Sequence, residues 1–309
     1  MDYVGDLMDW GQFGGLKGSS ISHYLIELIN FILYNQDMKD PHAVLAVLVD
    51  YSQAFNRIDH NLIVTTLSRM GVPGWLLKVV IGFLTERELV VRYKGKSSSR
   101  KFMTAGGPQG TKLGLFLFLI LINGAGYHDL AKDIGVRVTV PLSTGRPLDH
   151  LHAKYIDDIT LAQAVNLKTS LATIPESELV LPPSYHERTN NYLQSCKLQD
   201  DLHLLEQYST ENQMKINCRK TKVMLFNPSR NADFLPKLSL TGMEPGQYLE
   251  LVEKAKLLGI ILRSDLKWYD NTKQMCSKGY SRIWMLRRLK NLGANRNELF
   301  DLNEKILTD

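Results

Sequence analysis

The apolar positions of this chain alternate between short strand-like runs and longer stretches at helical spacing. Val44 to Val49 is apolar at every position, which predicts a central strand covered on both faces and ending in Asp50. Ahead of it, Ile21 to Tyr34 reads as a helix with Ser19 or Ser20 as its N-cap. Behind it, Ile58, Leu62, Ile63, Leu67 and Met70 form one stripe of a helix, and Trp75 to Leu84 predicts a second, largely buried one. Leu89 to Tyr93 and Lys101 to Thr104 flank a polar turn and predict a hairpin. The apolar run from Leu113 to Ile122 covers only ten residues, whereas a membrane span needs about 20, so it predicts a buried helix.

The second half follows the same grammar. Gly124 to Pro147 is loop-like, with a short strand expected over Val136 to Val140, and two strands are expected on either side of Asp157-Asp158. Ala164 to Asn191 is polar, contains Pro175, Pro182 and Pro183, and is expected to be a surface insertion. Leu198 to Tyr208 has helical spacing, and Val223 to Phe226 and Leu257 to Leu262 read as strands. The remainder is expected to be helical, with Met275, Ile283 and Leu286 facing a core.

Composition changes this picture little. With 309 residues, 44% hydrophobic and 22% charged, the chain has the make-up of an ordinary globular protein. A net charge of +5 permits a polyanionic partner without requiring one. The three cysteines are scattered and lack Cys-x-x-Cys spacing, which argues against a disulfide framework or a zinc knuckle and fits a reducing, intracellular setting. The N-terminus has no signal-peptide pattern, so a soluble protein of the nucleus or cytoplasm, neither secreted nor membrane-spanning, is expected.

Candidate chemistry lies at the ends and turns of these elements. Two adjacent carboxylates, Asp157 and Asp158, sit within the apolar run Ala153 to Leu161, where mutual repulsion and desolvation both count against them. An acidic hairpin tip in solvent is one reading; a divalent cation site is the other. Asp50, at the end of a buried strand, is equally a turn residue or a functional group. Gly-rich stretches occur at Gln12 to Ser20, with Lys17 as a phosphate-binding candidate, and at Gly106 to Gly114, where Gln109 stands among four glycines. Five cations between Arg92 and Lys101, and seven between Lys273 and Arg296, occur without an acid among them. Each is a solvated face or a track for a phosphate backbone, and the second run raises the case for nucleic acid.

The order of these features resembles the reverse transcriptases of LINE-type (non-LTR) retrotransposons: Asp50, then Gly107-Pro108-Gln109-Gly110, then Tyr155-Ile156-Asp157-Asp158, then Asn217 to Lys222, then Leu258-Gly259-Ile260. The resemblance implies an α+β, right-hand polymerase fold: partial fingers over 1–43, a palm over 44–268 with a fingers hairpin near 75–105, and a partial thumb over 269–309. It implies an RNA-directed DNA polymerase in which Asp50, Asp157 and Asp158 hold two Mg²⁺ ions, or Mn²⁺ in their place. It further implies that Phe55 lies under the incoming sugar and disfavours ribonucleotides. Gln109, Gly110, Lys220, Lys222 and Lys17 are implied in nucleotide binding, and Arg282, Arg287, Arg288 and Lys290 in nucleic-acid binding. The expected partners are an RNA template, a DNA primer and dNTPs.

Three positions depart from the family pattern. Asn56 stands where a second Asp is frequent, Leu115 replaces a Pro at the start of the apolar helix, and Ile122-Asn123-Gly124 replaces Ile-Asn-Asp. The resemblance also implies a chain that begins within the fingers and ends within the thumb, without an endonuclease, RNase H or zinc-knuckle segment. The alternative expectation is therefore a catalytically weak, nucleic-acid-binding remnant. An RNA-dependent RNA polymerase shares the palm logic, but Phe55 speaks against it.

Overall fold

The computed structural model describes residues 8–9, 11–39, 41–52, 54–103, 105–108, 110–123, 150–166, 197–226 and 237–300. The expected Val136 to Val140 strand, Gln109 and the part of the expected insertion beyond Asn166 lie outside them. The chain forms two compact units, Met1–Val252 and Glu253–Asp309.

The first unit is built on β1 (His42–Val49), buried at every position. It is the middle strand of a five-stranded sheet that also contains β6 (His150–Tyr155), β7 (Asp158–Asn166), β8 (Lys222–Phe226) and β9 (Glu250–Leu251), in the order β6-β7-β1-β8-β9. Its neighbours β7 and β8 both run antiparallel to it. Alternate side chains of a strand point to opposite faces, so a strand apolar throughout needs cover on both. α1 (Ile21–Gln36) packs on β1 and β6, burying Tyr24, Leu28, Phe31 and Ile32. On the other face Leu45, Val47 and Val49 join a core with α4 (Lys112–Asn123) and α5 (Leu198–Glu211). α4 buries every residue from Leu117 to Ile122, as its unbroken apolar run demands.

Local chemistry sets the helix starts. The side chain of Ser20 accepts from the His23 N–H and caps α1. Asp59 does the same for α2 (His60–Arg69), accepting from the Leu62 N–H at 3.0 Å. The expectation for α3 (Gly74–Leu84) needs correction: only Val80 and Leu84 are buried, and Trp75 is 69% exposed. Its apolar surface exceeds what one face can bury against the described residues. The expected fingers hairpin is divided into β2 (Arg87–Leu89) paired with β5 (Lys101–Met103), and β3 (Arg92–Tyr93) paired with β4 (Lys96–Ser97).

In the second unit, Leu257 to Leu262 is not one strand. It is the core of a hairpin of β10 (Lys254–Leu257) and β11 (Ile260–Arg263), closed by Leu258 and Gly259, both at positive φ. Two such residues make the tight turn whose twist suits a hairpin. Arg263 ties it to α6 (Tyr269–Asn291), donating to Asp265 and Asp270 at 2.9 Å each. α6 has no buried residue, so the expected core face does not form among the described residues: Met275 is 65% and Ile283 47% exposed. No described helix is long and apolar enough to cross a membrane.

Candidate active site

Sheet register brings Asp50 to the Asp157-Asp158 turn. β1 and β7 pair as far as Val49 opposite Ile159, so Asp50 and Asp158 are the next positions along the two strands. β6 and β7 pair as far as Tyr155 opposite Asp158, leaving Ile156 and Asp157 as a two-residue turn. Ile156 sits at φ +61°. For a β-branched residue this left-handed conformation costs about 1–3 kcal/mol and persists only where neighbours hold it.

The carboxylates bear on one another. Burial, then the charges of Asp157 and Asp50, push the Asp158 carboxyl up to about 6. Asp157 is raised as well, by burial first and by Asp50, against the opposing effect of a backbone hydrogen bond. Asp50 is held by its backbone: its N–H donates to Thr221 Oγ1 at 3.3 Å, and its C=O accepts from the Asn217 N–H at 2.7 Å. Its Oδ2 is buried without a hydrogen-bond partner. The ammonium of Lys220 is 3.8 Å from that oxygen, an ion-pair distance too long for a hydrogen bond. Among the described residues no three His, Cys, Asp or Glu side chains form a ready-made metal cage. A hard cation bound by one or two carboxylates and by substrate phosphates does not need one.

Phe55 lies in a short 3₁₀ turn, Ala54–Arg57, and stacks on buried Phe118 of α4 with ring centroids 4.3 Å apart. The glycine-rich loop docks on this turn. The Gly107 N–H donates to Phe55 C=O and the Gly106 N–H to Ile58 C=O, each at 2.8 Å. His60 Nε2 lies 2.9 Å from the Gly106 carbonyl. At Gly114 a Cβ would stand 2.4 Å from the Pro108 carbonyl oxygen, so loop and helix meet at a distance only glycine allows. Gly110 is exposed in this loop.

The cations expected at the site differ in their engagements. Lys220 faces Asp50, whereas the Lys222 ammonium is occupied by Glu250 at 2.5 Å and the Arg219 carbonyl at 2.6 Å. Lys17 is exposed in the turn before α1. Arg282, Arg287, Arg288 and Lys290 all lie on α6, in the second unit, where Arg288 stacks over Trp284.

Sequence reasoning missed what supports the turn. Gln12 bridges Lys154 on the outer edge of β6, and its Oε1 accepts from the Ile156 N–H at 3.0 Å. Lys154 is itself buried, with its ammonium 2.5 Å from Asp9 Oδ2; both side chains are 1% exposed. It also donates to the carbonyls of Ile122 and Asn123 at the end of α4. Burial lowers the Lys154 pKa and the Asp9 charge opposes that effect. A lysine three residues ahead of an Asp-Asp pair in a predicted strand was the one available signal.

Residues 4–262 match the family model described as reverse transcriptase (RNA-dependent DNA polymerase). The chain belongs to this family. It is 26% identical over 280 residues to a probable RNA-directed DNA polymerase from transposon BS of Drosophila melanogaster, a match covering 91% of this chain and 26% of that one. It is also 26% identical over 251 residues to the RNA-directed DNA polymerase from mobile element jockey of the same species, covering 81% and 23%. Its relatives of known name are thus RNA-directed DNA polymerases of Drosophila mobile elements. The chain spans about a quarter of the length of the curated relatives it matches. Among solved structures, an apo telomerase from Candida tropicalis matches at 12% identity and a TM-score of 0.45, over 84% of this chain and 40% of that one. Members of the reverse transcriptase family generally use divalent metal ions.

Proposed function

We infer that this domain is an RNA-directed DNA polymerase whose catalytic carboxylates are Asp50, Asp157 and Asp158. The observation that carries the reading is the register of β1 and β7, which sets Asp50 beside the Asp157-Asp158 turn. The charges of Asp50 and Asp157 then both bear on Asp158. The buried Asp50 Oδ2, without a hydrogen bond beside the Asp157-Asp158 turn, suits a hard divalent cation whose remaining ligands are substrate phosphates and water. When bound, Mg²⁺ would stabilise the charge developing on the transferred phosphoryl group and lower the pKa of the primer hydroxyl.

The reaction joins the primer 3′-oxygen to the α-phosphorus of a dNTP. The bond from that phosphorus to the bridging oxygen breaks, pyrophosphate leaves, and the hydroxyl proton goes to solvent. Asp50, Asp157 and Asp158 orient the reacting groups through their shared charge. Lys220, beside Asp50, is placed to meet the triphosphate. Phe55, fixed by its stack on Phe118, supports selection of the deoxyribose. The fingers, palm and thumb divide at about residues 43 and 268, and the basic face of α6 holds the template–primer duplex.

Purified chain offered an RNA template, a DNA primer, dNTPs and Mg²⁺ should extend the primer, and Asp157→Asn should not. Binding without extension by either protein would leave a nucleic-acid-binding remnant. Ribonucleotides incorporated as readily as dNTPs would point instead to an RNA polymerase.

A further inference from the structure

The Gln12 segment lies along the outer edge of the five-stranded sheet. The Lys154 N–H donates to Gly11 C=O at 2.7 Å, and the Phe13 N–H donates to Lys154 C=O at 2.8 Å, so residues 11–13 add a short parallel rung to β6. This strap ends against the Asp157 turn. Gln12 is 3% exposed, and its Oε1 accepts from two backbone N–H groups, Gly14 at 2.9 Å and Ile156 at 3.0 Å. Two donors on one atom settle the amide's orientation, since only the oxygen can accept. The cost is visible on the other side of the amide, where Nε2 is buried without a partner. An apolar side chain of the same shape would fill the space without that penalty. What it could not do is hold the Ile156 N–H.

We propose that Gln12 is a positioning residue for catalysis: by accepting from the Ile156 N–H it holds that residue in its left-handed conformation and so sets where Asp157 and Asp158 point. Ile156 immediately precedes Asp157, and any relaxation of its φ from +61° moves the carboxylates that follow. Gly14 closes the strap over the same amide. A Cβ there would stand 2.5 Å from the Ile156 nitrogen, so Gly14→Ala pushes on the turn that Gln12 holds. The proposal rests on the polymerase reading of the three carboxylates, and its test has one arm that does not.

That arm is hydrogen exchange on the full chain. The Ile156 amide should be protected in the parent and lose protection in Gln12→Met. In single-nucleotide addition, Gln12→Met and Gly14→Ala should lower kcat by about tenfold to a hundredfold with the KM for dNTP within about twofold, because misplaced reacting groups act on the chemical step. Leu16→Ala, just beyond the strap and packed against the core away from the turn, is expected to lower the melting temperature and leave kcat within about twofold. An unprotected Ile156 amide in the parent would overturn the proposal whether or not the variants fold. So would equal losses of kcat in Leu16→Ala and Gln12→Met. A parent that protects Ile156 yet extends no primer would count against the polymerase reading alone, with the exchange result still deciding the role of Gln12 in the turn.

Discussion

Val49 lies directly opposite Ile159 in the sheet, and this one pairing puts Asp50 beside a turn more than a hundred residues later in the chain. A slip of one residue would turn every side chain of β7 to the other face and separate the carboxylates. The register is secured because Val47 and Leu161, and Val49 and Ile159, are buried pairs on the core face. The same residues that build the core therefore build the candidate site.

The Asp158 carboxyl, raised to about 6 by burial and by its two acidic neighbours, makes stability depend on pH. The unfolded value is about 3.9. A carboxyl with a folded pKa above its unfolded one binds protons more tightly when folded. Its favourable contribution is complete below about pH 4 and is lost as pH rises through about 6. Asp158→Asn should therefore melt higher than the parent at pH 7, with the difference shrinking towards pH 4. Thermal unfolding of both proteins from pH 4 to pH 8 reads this directly.

Mg²⁺ should offset the same repulsion. At pH 7.5 the melting temperature of the parent should rise with added Mg²⁺, because binding to the folded state alone stabilises it. Asp157→Asn and Asp158→Asn should show a much smaller rise. Equal responses from all three proteins would place the cation elsewhere.

Lys154 and Asp9 form an ion pair closed to solvent. Removing one partner leaves a buried charge, and Asp9→Leu or Lys154→Met should each cost about 3–5 kcal/mol in urea unfolding. The double variant should recover most of that loss, since neither charge remains. Single variants that each cost less than about 1 kcal/mol would show the pair to be solvated.

Phe55 stacks on Phe118, so its ring cannot swing aside without losing that contact. If the ring closes the space under the sugar, Phe55→Val should raise the incorporation of ribonucleotides relative to deoxyribonucleotides by about tenfold or more. Competition between the two in primer extension measures it. An unchanged ratio would assign Phe55 to packing alone.

Much of the architecture was legible because burial leaves a mark on composition. β1 and α4 are apolar at nearly every position and are covered on all sides, while α1 and α5 carry one stripe each and bury that stripe. α3 has the same apolar look but is largely exposed, and no periodicity distinguishes the two cases. Periodicity alone runs Leu257 to Leu262 together as one strand, because Leu258 occupies a positive-φ position where Gly or Asn would be expected. The Asp-Asp pair announced itself by sitting in an apolar run. Gln12 did not, since its partner, the Ile156 N–H, lies 144 positions away and carries no side-chain signature.

The central claim is that Asp50, Asp157 and Asp158 act as one site, and the non-additivity of their loss tests it most directly. Single-nucleotide addition at saturating dNTP would be compared for Asp50→Asn, Asp157→Asn, Asp158→Asn and the Asp50→Asn/Asp157→Asn double variant. Each single variant should lose roughly 10³-fold or more in rate, and the double should lose little beyond the worse of its parents, as for groups that work as a unit. Small losses that multiply in the double variant, or extension that survives any one substitution undiminished, would contradict it.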